Sequence, residues 1–435
     1  MPKIKFSLLS IIGGLTLLSS SAYAGVDAEV SYILNTLLFL IGGFLVMWMA
    51  AGFAMLESGL VTSKSVATIA AKNIGLYSIA GLMFWLVGYN LAYGIPEGGF
   101  IGSFLPWSDA SAVDTGYSDG SDWFFQMVFC ATTCSIVSGT LAERIKIWPF
   151  FLFCAILAGV IYPIEMGWQW GGGHLAAAGF SDFAGSGVVH LCGAAAALAG
   201  VIALGARKGK YKDGKPQAMP GANLPLATLG TFILWLGWFG FNGGSELIVS
   251  NVVEANAVSL IFVNTNLAAA GGVMGALILS KIMFGKSDLT MALNGAIAGL
   301  VSITAEPLAP TPGLALIIGF IGGLIVVFSI ISLDKLHIDD PVGAISAHGT
   351  AGIWGLLAVT LTGGSLGAQV YGIIVIFLWT FITSFIIWKI INSIYGLRVT
   401  AEEEEEGVDI SECGLEAYPE FSKQFDSAPS VYPKK

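Results

Sequence analysis

The stretch Asp182-Phe-Ala-Gly-Ser-Gly-Val-Val-His190 opens an otherwise apolar segment and places a carboxylate at its start and an imidazole eight residues further on. The same skeleton, Asp-x-x-Gly-x4-His, recurs at Asp340, Gly343 and His348, again at the head of an apolar segment. A helical rise of 1.5 Å per residue would carry each imidazole about 12 Å along its helix. If the two copies enter a membrane from opposite sides, the imidazoles converge near the middle of a hydrocarbon core about 30 Å thick.

The composition is that of an integral membrane protein. Of 435 residues, 55% are hydrophobic and 11% are charged, whereas soluble domains carry roughly 25% charged residues. The 57 glycines point the same way, because small residues let membrane helices pack closely. Much of the net charge of −10 lies in one run, Glu402 to Glu406, and the chain lacks the basic footprint of a nucleic-acid-binding protein.

The five cysteines are odd in number and scattered, so they predict no disulfide framework. Cys130 and Cys134 stand four residues apart on one predicted helix. They are interpreted either as a pair of metal ligands or as small buried hydrophobic side chains, and the usual burial of free cysteine favours the second.

The N-terminus has the pattern of a secretory signal peptide over residues 1–24. Lys3 and Lys5 form a positive region, Leu8 to Leu18 an apolar one, and Ala22-Tyr23-Ala24 a cleavage site. Cleavage would place the new N-terminus outside the cytoplasm. The alternative is an uncleaved first helix.

Apolar segments that follow are long enough to cross a membrane. Eleven are predicted, at 30–58, 68–94, 121–142, 146–165, 186–206, 224–245, 256–283, 289–305, 313–333, 343–362 and 369–395.

The distribution of basic residues supports this number. If odd-numbered segments run inward, the inner loops hold Lys64, Arg144, Lys146, residues 207–215, Lys281, Lys286 and Lys335. The outer loops, which contain no Lys or Arg, are 95–120, 166–185, 246–255, 306–312 and 363–368. Because basic residues concentrate on the cytoplasmic side, this arrangement predicts a cytoplasmic tail over 396–435 and a multi-pass protein of the bacterial inner membrane.

The same number predicts an internal repeat. Segments one to five and six to ten are each odd in number, so the second set is inverted relative to the first, and the two motif copies open segments five and ten. Inverted repeats that meet at a midplane site are typical of transporters. The predicted fold is therefore an all-α integral membrane protein with eleven transmembrane helices, a five-plus-five inverted pseudo-repeat and a final helix.

His190 and His348 are the candidate functional residues, because an ionisable residue inside a membrane is costly and usually functional. A purely structural pair is the alternative. A metal site is disfavoured, since zinc wants three or four ligands and His174 and His337 are predicted on opposite sides. Neutral imidazoles each offer one donor and one acceptor, so the pair could line a narrow pore that passes a small neutral molecule and disfavours ions.

Asp182 and Asp340 stand at predicted helix starts, where a carboxylate acts as an N-cap. For Asp182, a cap and a role in attracting a cation are compatible.

Aromatic residues are frequent in and near the predicted outer side. They are Phe124, Phe125, Phe129, Trp168, Trp170, Trp238, Phe239 and Phe241. Most are expected to form an interfacial belt. However, Trp170 precedes three glycines and Phe241 stands one helical turn before Ser245. Aromatic faces with a hydroxyl can hold a small desolvated cation, with a cation–π energy of up to ~2 kcal/mol.

Four long motifs in this chain resemble the ammonium transporter (Amt/Mep/Rh) family, most closely its bacterial Amt branch. They are Leu141-Ala-Glu-Arg144, the Asp182–His190 stretch, Gly237-Trp-Phe-Gly-Phe-Asn-Gly-Gly-Ser245 and Asp339-Asp-Pro-Val-Gly-Ala-Ile-Ser-Ala-His-Gly349. The resemblance covers essentially all of residues 30–418.

The resemblance implies a homotrimer with one pore per subunit that transports ammonium, ammonia or methylammonium, without enzymatic activity, cofactor or metal. The implied capture residues are Phe129, Trp170, Ser245 and Trp238, with Asp182 in support. Phe129 and Phe241 match the gate of the pore, and His190 and His348 match its twin histidines. Ammonium would be recruited as a cation and deprotonated, and ammonia would pass the imidazoles while the proton follows a separate or coupled route.

The tail resembles the family in Gly396-Leu-Arg-Val399 and from Glu406 to Tyr418, a segment that packs on neighbouring subunits and helps bind a PII-type signalling protein. Cys413 stands where the bacterial pattern usually has His. An alternative function is an ammonium sensor that signals through this tail and a PII-type partner. A membrane-embedded metalloenzyme that uses the two histidines is a third hypothesis, which the missing third ligand disfavours.

Overall fold

Eleven long helices account for most of residues 26–421, the part of the chain that the computed structural model describes. The predicted signal peptide, residues 1–24, lies outside the described residues. The helices are α1 Ala28–Leu60, α2 Ser63–Tyr93, α3 Asp119–Thr140, α4 Ile147–Ala177, α5 Ser186–Leu204, α6 Leu224–Gly244, α7 Val252–Phe284, α8 Leu289–Thr304, α9 Pro312–Lys335, α10 Ile345–Thr362 and α11 Leu366–Tyr395.

Nine of these helices are long and apolar enough to span a membrane by themselves. The other two are α3, which carries Asp119 and Asp122 in its first turn, and α8, which has 16 residues. Almost every side chain of α3 and α8 beyond the first turn is buried by other helices. Because the side chains of these two helices contact protein rather than lipid, a lower mean hydropathy is sufficient for them to lie within the membrane. The prediction of eleven helices is confirmed, with ends that differ by a few residues. In α4 the continuous helix ends at Gln169, and a separate short helix, His174–Ala177, follows after a break.

The packing of the helices follows the predicted repeat. The first helices of the two halves, α1 and α6, pack along each other. Within the first half α2 contacts α4, and the matching helices α7 and α9 contact each other in the second half. The starts of α5 and α10 meet, and α11 packs on α5. The fold is thus a pair of five-helix inverted repeats with a final helix.

Both motif copies begin with the same local geometry. Gly185 and Gly343 have φ values of 107° and 80°, a left-handed backbone that favours glycine. Each is followed by a π-helical turn, Ser186–Leu191 or Ile345–Thr350, that contains the motif histidine. Nothing in the residue pattern predicted these π-turns, which widen a helix locally and occur often at functional sites.

The end of the bundle where α11 finishes also carries the tail, and we call it the tail side. A small hairpin lies in the loop between α5 and α6, with β1 Tyr211–Lys212 antiparallel to β2 Lys215–Pro216. The acidic run Glu402 to Glu406 lies in a short helix, α12 Ala401–Glu406. Thr400 and Glu403 close its start as a capping box, which satisfies two backbone N–H groups at once.

Candidate functional site

The two motif histidines meet at the centre of the bundle. Their Nδ1 atoms lie 3.1 Å apart, and both imidazoles are buried. Such a contact requires one Nδ1 to donate and the other to accept, so at least one ring carries its proton on Nδ1. The Nε2 atom of His190 has no hydrogen-bond partner among the described residues. The predicted convergence of His190 and His348 is therefore confirmed.

A stack of aromatic rings covers His190 on one side. The indole of Trp238 lies 5.0 Å from the imidazole and nearly parallel to it, and the ring of Phe241 lies 5.3 Å away. Phe129 stacks on Phe241 with ring centroids 4.0 Å apart. Two phenyl rings in contact close the direct path to His190.

A cavity of about 360 Å³ opens on the other side of this pair, and we call it the vestibule. Phe129, Trp170 and Ser245, three of the predicted capture residues, line it together. Trp170 meets Phe129 edge-on at 5.9 Å, and the Ser245 hydroxyl donates to the Phe241 carbonyl at 2.8 Å. The other lining residues are Tyr89, Tyr93, Tyr117, Asp122, Phe125, Gln126, Phe183 and Leu247.

Trp238 does not lie where the resemblance implied. Its side chain is fully buried and does not line the vestibule, and its Nε1 atom donates to the Thr304 hydroxyl at 2.8 Å. That hydrogen bond holds the indole flat against His190. Trp238 is therefore a wall of the histidine site rather than a vestibule aromatic.

Asp182 is the cap that the sequence predicts. Its carboxylate accepts four backbone hydrogen bonds of 2.8 to 3.1 Å, from Gly185, Ser186, Gly187 and Val188. Asp340 accepts two in the second copy, at 3.1 and 2.7 Å. The Asp182 carboxylate is thus directed into its own helix start, and it cannot face a ligand in the vestibule.

Asp122 is a vestibule residue that the sequence analysis missed. Its carboxylate accepts from the Tyr89 hydroxyl at 2.5 Å and from the Gln126 amide at 3.1 Å. An acidic residue inside a segment predicted to span the membrane was a signal that could have found it. Among the described residues that line the vestibule, Asp122 is the only acidic one.

A second, smaller cavity of about 10 Å³ lies on the tail side of His348, and we call it the tail-side cavity. Phe53 of α1 stands beside His348, with ring centroids 6.0 Å apart. Glu57, one turn further along α1, and Asn294 of α8 also line the cavity. Sequence analysis missed Glu57 as well. The order of features along the bundle is thus vestibule, phenyl pair, histidine pair and tail-side cavity.

Comparisons with known proteins agree with this geometry. The sequence model of the Ammonium Transporter Family matches residues 37–418. The chain belongs to the ammonium transporter family. Ammonium transporter Amt2 of Archaeoglobus fulgidus is 42% identical over 420 residues, which cover 88% of this chain and 87% of that protein.

Two solved structures resemble this transporter over most of its length. One, described as a sensor Amt protein, is 36% identical with a TM-score of 0.84, over 89% of this chain and all of the other. The other, Mep2 of Candida albicans, is 27% identical with a TM-score of 0.79, over 93% of this chain and 95% of the other. The protein is a multi-pass membrane transporter for ammonium, and not an enzyme.

A buried ionic cluster closes the tail side of the transporter. Arg207 donates two hydrogen bonds of 2.9 Å to the Asp339 carboxylate and also binds Glu143. Arg144 donates to the Asp339 backbone carbonyl at 2.8 Å. Burial raises the pKa of Asp339, but the hydrogen bonds from Arg207 and the charges of Arg144 and Arg207 outweigh it and lower that pKa to about 2. The cluster joins three loops that connect the helices.

The tail of the transporter packs on these loops of its own chain. The Val399 N–H donates to the Arg144 carbonyl at 3.1 Å. Asp409 accepts from the backbone N–H groups of Ala67 and Thr68 at 2.9 and 2.8 Å, which caps the start of α2. The sulfur of Cys413 lies 3.6 Å from the Thr68 hydroxyl. The resemblance implied that the tail contacts neighbouring subunits. The structure shows that the tail also contacts the loops of its own chain.

Proposed function

We propose that this transporter captures ammonium in the vestibule, admits it past the phenyl pair and conducts ammonia past the two histidines. The observation that supports this most strongly is the alignment of vestibule, phenyl pair, histidine pair and tail-side cavity along one path. No other function considered above uses all four features.

The capture step uses the vestibule walls. Trp170 and Phe129 offer aromatic faces to a cation, and the Ser245 hydroxyl offers an oxygen acceptor. A desolvated cation on such faces gains up to ~2 kcal/mol per ring. Asp122 adds a negative charge to the same cavity, which raises the local concentration of cations.

The gate is the stacked pair Phe129 and Phe241. Because the rings touch, a molecule of ammonia size passes only when they move apart, and hydrated ions are excluded by size and by the cost of losing water. The ammonium ion therefore gives up a proton before or during passage, and ammonia goes on.

The histidine pair supplies the polar points of an otherwise apolar passage. The Nε2 atom of His190, which has no hydrogen-bond partner within the described part of the chain, is a group that ammonia meets as it leaves the phenyl pair. The hydrogen bond between His190 and His348 fixes the two rings relative to each other, and the stacked indole of Trp238 prevents rotation. Imidazole titrates near neutral pH, so the pair can also carry a proton.

The proposed setting follows the sequence expectations. The protein is a homotrimer in the bacterial inner membrane, with residues 1–24 cleaved as a signal peptide, the N-terminus periplasmic and the tail cytoplasmic. Methylammonium is the proposed substrate analogue. The concentration of basic residues on the tail side supports this orientation.

The test is a charge-movement measurement on proteoliposomes. An inward ammonium gradient should give a current with the wild type, and His190→Ala and His348→Ala should each abolish most of it. His337→Ala is the control, because that histidine is exposed on the tail side. Wild-type vesicles without a current, or alanine variants indistinguishable from wild type, would contradict the pore assignment.

A second function, ammonium sensing through the tail and a PII-type partner, is favoured by two observations. The tail is fixed to the loops of the pore domain by Val399 and Asp409, and one similar structure is described as a sensor Amt protein. Deleting residues 399–435 should abolish the response of the partner and leave transport largely intact. Loss of transport with retained signalling would refute this role of the tail.

A further inference from the structure

Glu57 is a buried acid that takes no part in the proposed capture, gating or histidine steps. Its side chain is 1% exposed, and it lines the tail-side cavity together with His348. One carboxylate oxygen, Oε2, accepts from the Ser138 hydroxyl at 2.7 Å. The other, Oε1, has no hydrogen-bond partner among the described residues. A buried carboxylate oxygen without a partner is costly, and this carboxylate belongs to a residue that lines the same cavity as His348.

A basic residue accompanies this carboxylate. Lys72 of α2 is also 1% exposed, and its Nζ donates to the Ser138 backbone carbonyl at 2.7 Å. Ser138 therefore links the two, through its hydroxyl to Glu57 and through its carbonyl to Lys72. Lys72 also lies over the ring of Phe150, at 4.9 Å from the centroid. Asn73 is the other polar neighbour of Glu57 on α2.

The tail-side cavity has a volume of about 10 Å³, which is the least that holds one water molecule. Glu57 and His348 both line this cavity, so a water there would lie between the carboxylate side chain and the imidazole ring. One water between an imidazole and a carboxylate is sufficient for proton transfer between them.

We propose that Glu57 is the proton carrier on the tail side of the histidine pair. This inference rests on the proposed function. A proton released by ammonium in the vestibule reaches His348 and passes through the water to Glu57, so that an imidazolium N–H bond breaks and a carboxyl O–H bond forms. Ammonia that enters the same cavity then takes this proton. The O–H bond breaks, the fourth N–H bond forms, ammonium leaves and the carboxylate is restored.

Glu165 provides a matched comparison. It is another fully buried acid, on α4, and both of its carboxylate oxygens lack partners among the described residues. Unlike Glu57, it is not among the residues that line the tail-side cavity. A general effect of removing a buried acid would therefore affect both positions, whereas a proton path affects Glu57 alone.

The experiment measures two fluxes in proteoliposomes: the ammonium-driven current, and the permeation of neutral ammonia followed as internal alkalinisation. The variants are Glu57→Gln, which keeps size and loses the carboxylate, Glu57→Asp, which keeps the carboxylate, and Glu165→Gln. Glu57→Gln should lower the current by about tenfold or more and retain ammonia permeation. Glu57→Asp should stay within about threefold of wild type, and Glu165→Gln should match wild type.

Other outcomes overturn the inference. Wild-type current in Glu57→Gln would show that the proton does not use this carboxylate. Loss of both fluxes in both Glu57 variants, or a larger loss in Asp than in Gln, would assign the residue to packing. A current loss in Glu165→Gln equal to that in Glu57→Gln would indicate a general effect of buried acids. Wild-type vesicles that pass ammonia without any current would overturn the proton path alone, whereas vesicles that pass neither would overturn the proposed function itself.

Discussion

The Trp170 indole donates a hydrogen bond of 2.9 Å to the backbone carbonyl of Asp182. The carboxylate of the same aspartate accepts four backbone hydrogen bonds at the start of α5. One residue therefore fixes both a wall of the vestibule and the helix that carries His190. A change at Asp182 is expected to affect capture and pore together.

Replacing this carboxylate should destabilise the protein. In Asp182→Asn an amide N–H₂ group would face two backbone N–H donors, so two charge-assisted hydrogen bonds are lost at a cost of about 3 kcal/mol. Asp340→Asn is the matched variant, because Asp340 accepts two such bonds, and its cost should be about half as large. Thermal unfolding in detergent measures both. Equal loss in the two variants would contradict this account of the cap.

The phenyl pair should determine selectivity. Phe241→Ala removes one of two stacked rings and opens a wetter path from the vestibule to His190, so the preference for ammonium over potassium in the proteoliposome current should fall by about tenfold, or ~1.4 kcal/mol. The control is Phe239→Ala on the same helix, whose ring stacks on Phe262 instead. Unchanged selectivity in Phe241→Ala would mean that the gate lies elsewhere.

Asp122 should contribute to capture. Asp122→Asn keeps the shape of the side chain and removes its charge from the vestibule, so half-saturation should need about tenfold more ammonium, with little change in maximal current. Asp109→Asn changes an exposed acid of the loop before α3 and should leave half-saturation unchanged. A reduced maximal current at constant half-saturation would assign Asp122 to a later step.

The tail-side ionic cluster should make stability depend on acid pH. The folded-state pKa of Asp339 is lowered to about 2, below an unfolded value of about 3.9. Its contribution of about 2–3 kcal/mol is therefore complete above the unfolded pKa and is lost as the pH falls from about 4 towards 2. Melting temperatures of the wild type should drop over that interval. Asp339→Asn should have a lower melting temperature than the wild type at neutral pH, and its melting temperature should fall less between about pH 4 and 2. A fall as steep as that of the wild type would refute the assignment to Asp339.

The attachment of the tail to the start of α2 should depend on Asp409. Asp409→Asn weakens the cap on Ala67 and Thr68 by about 1.4 kcal/mol or more, so the tail should open about tenfold more often. Limited proteolysis between α11 and residue 421 should accelerate accordingly. Glu402→Gln alters an exposed residue of the same segment and should be cleaved at the wild-type rate.

The sequence alone predicted the number of helices, their approximate ends, the inverted repeat and the meeting of His190 with His348. These features depend on hydropathy, loop charge and the fixed rise of a helix, all of which are local or additive along the chain. Asp182 and Asp340 as caps were predictable for the same reason, because a cap is a contact within a few residues.

Only the tertiary structure decided which side chains share a cavity. Hydropathy does not tell which face of a buried helix meets which neighbour, so Asp122 and Glu57 passed unnoticed in apolar segments and Trp238 was expected in the vestibule instead of against His190. The two π-turns lie where α5 and α10 contact each other, a meeting of segments far apart in the sequence. The acidic run in α12 is held by two basic residues. Arg398 pairs with Glu404 nearby in the sequence, whereas Lys208, which pairs with Glu405, is 197 residues away and is brought close only by the fold. The sequence determined how deep in the membrane each residue lies, because the rise along a helix is fixed. Packing determined which neighbour each side chain faces, because that depends on how the helices are rotated against one another.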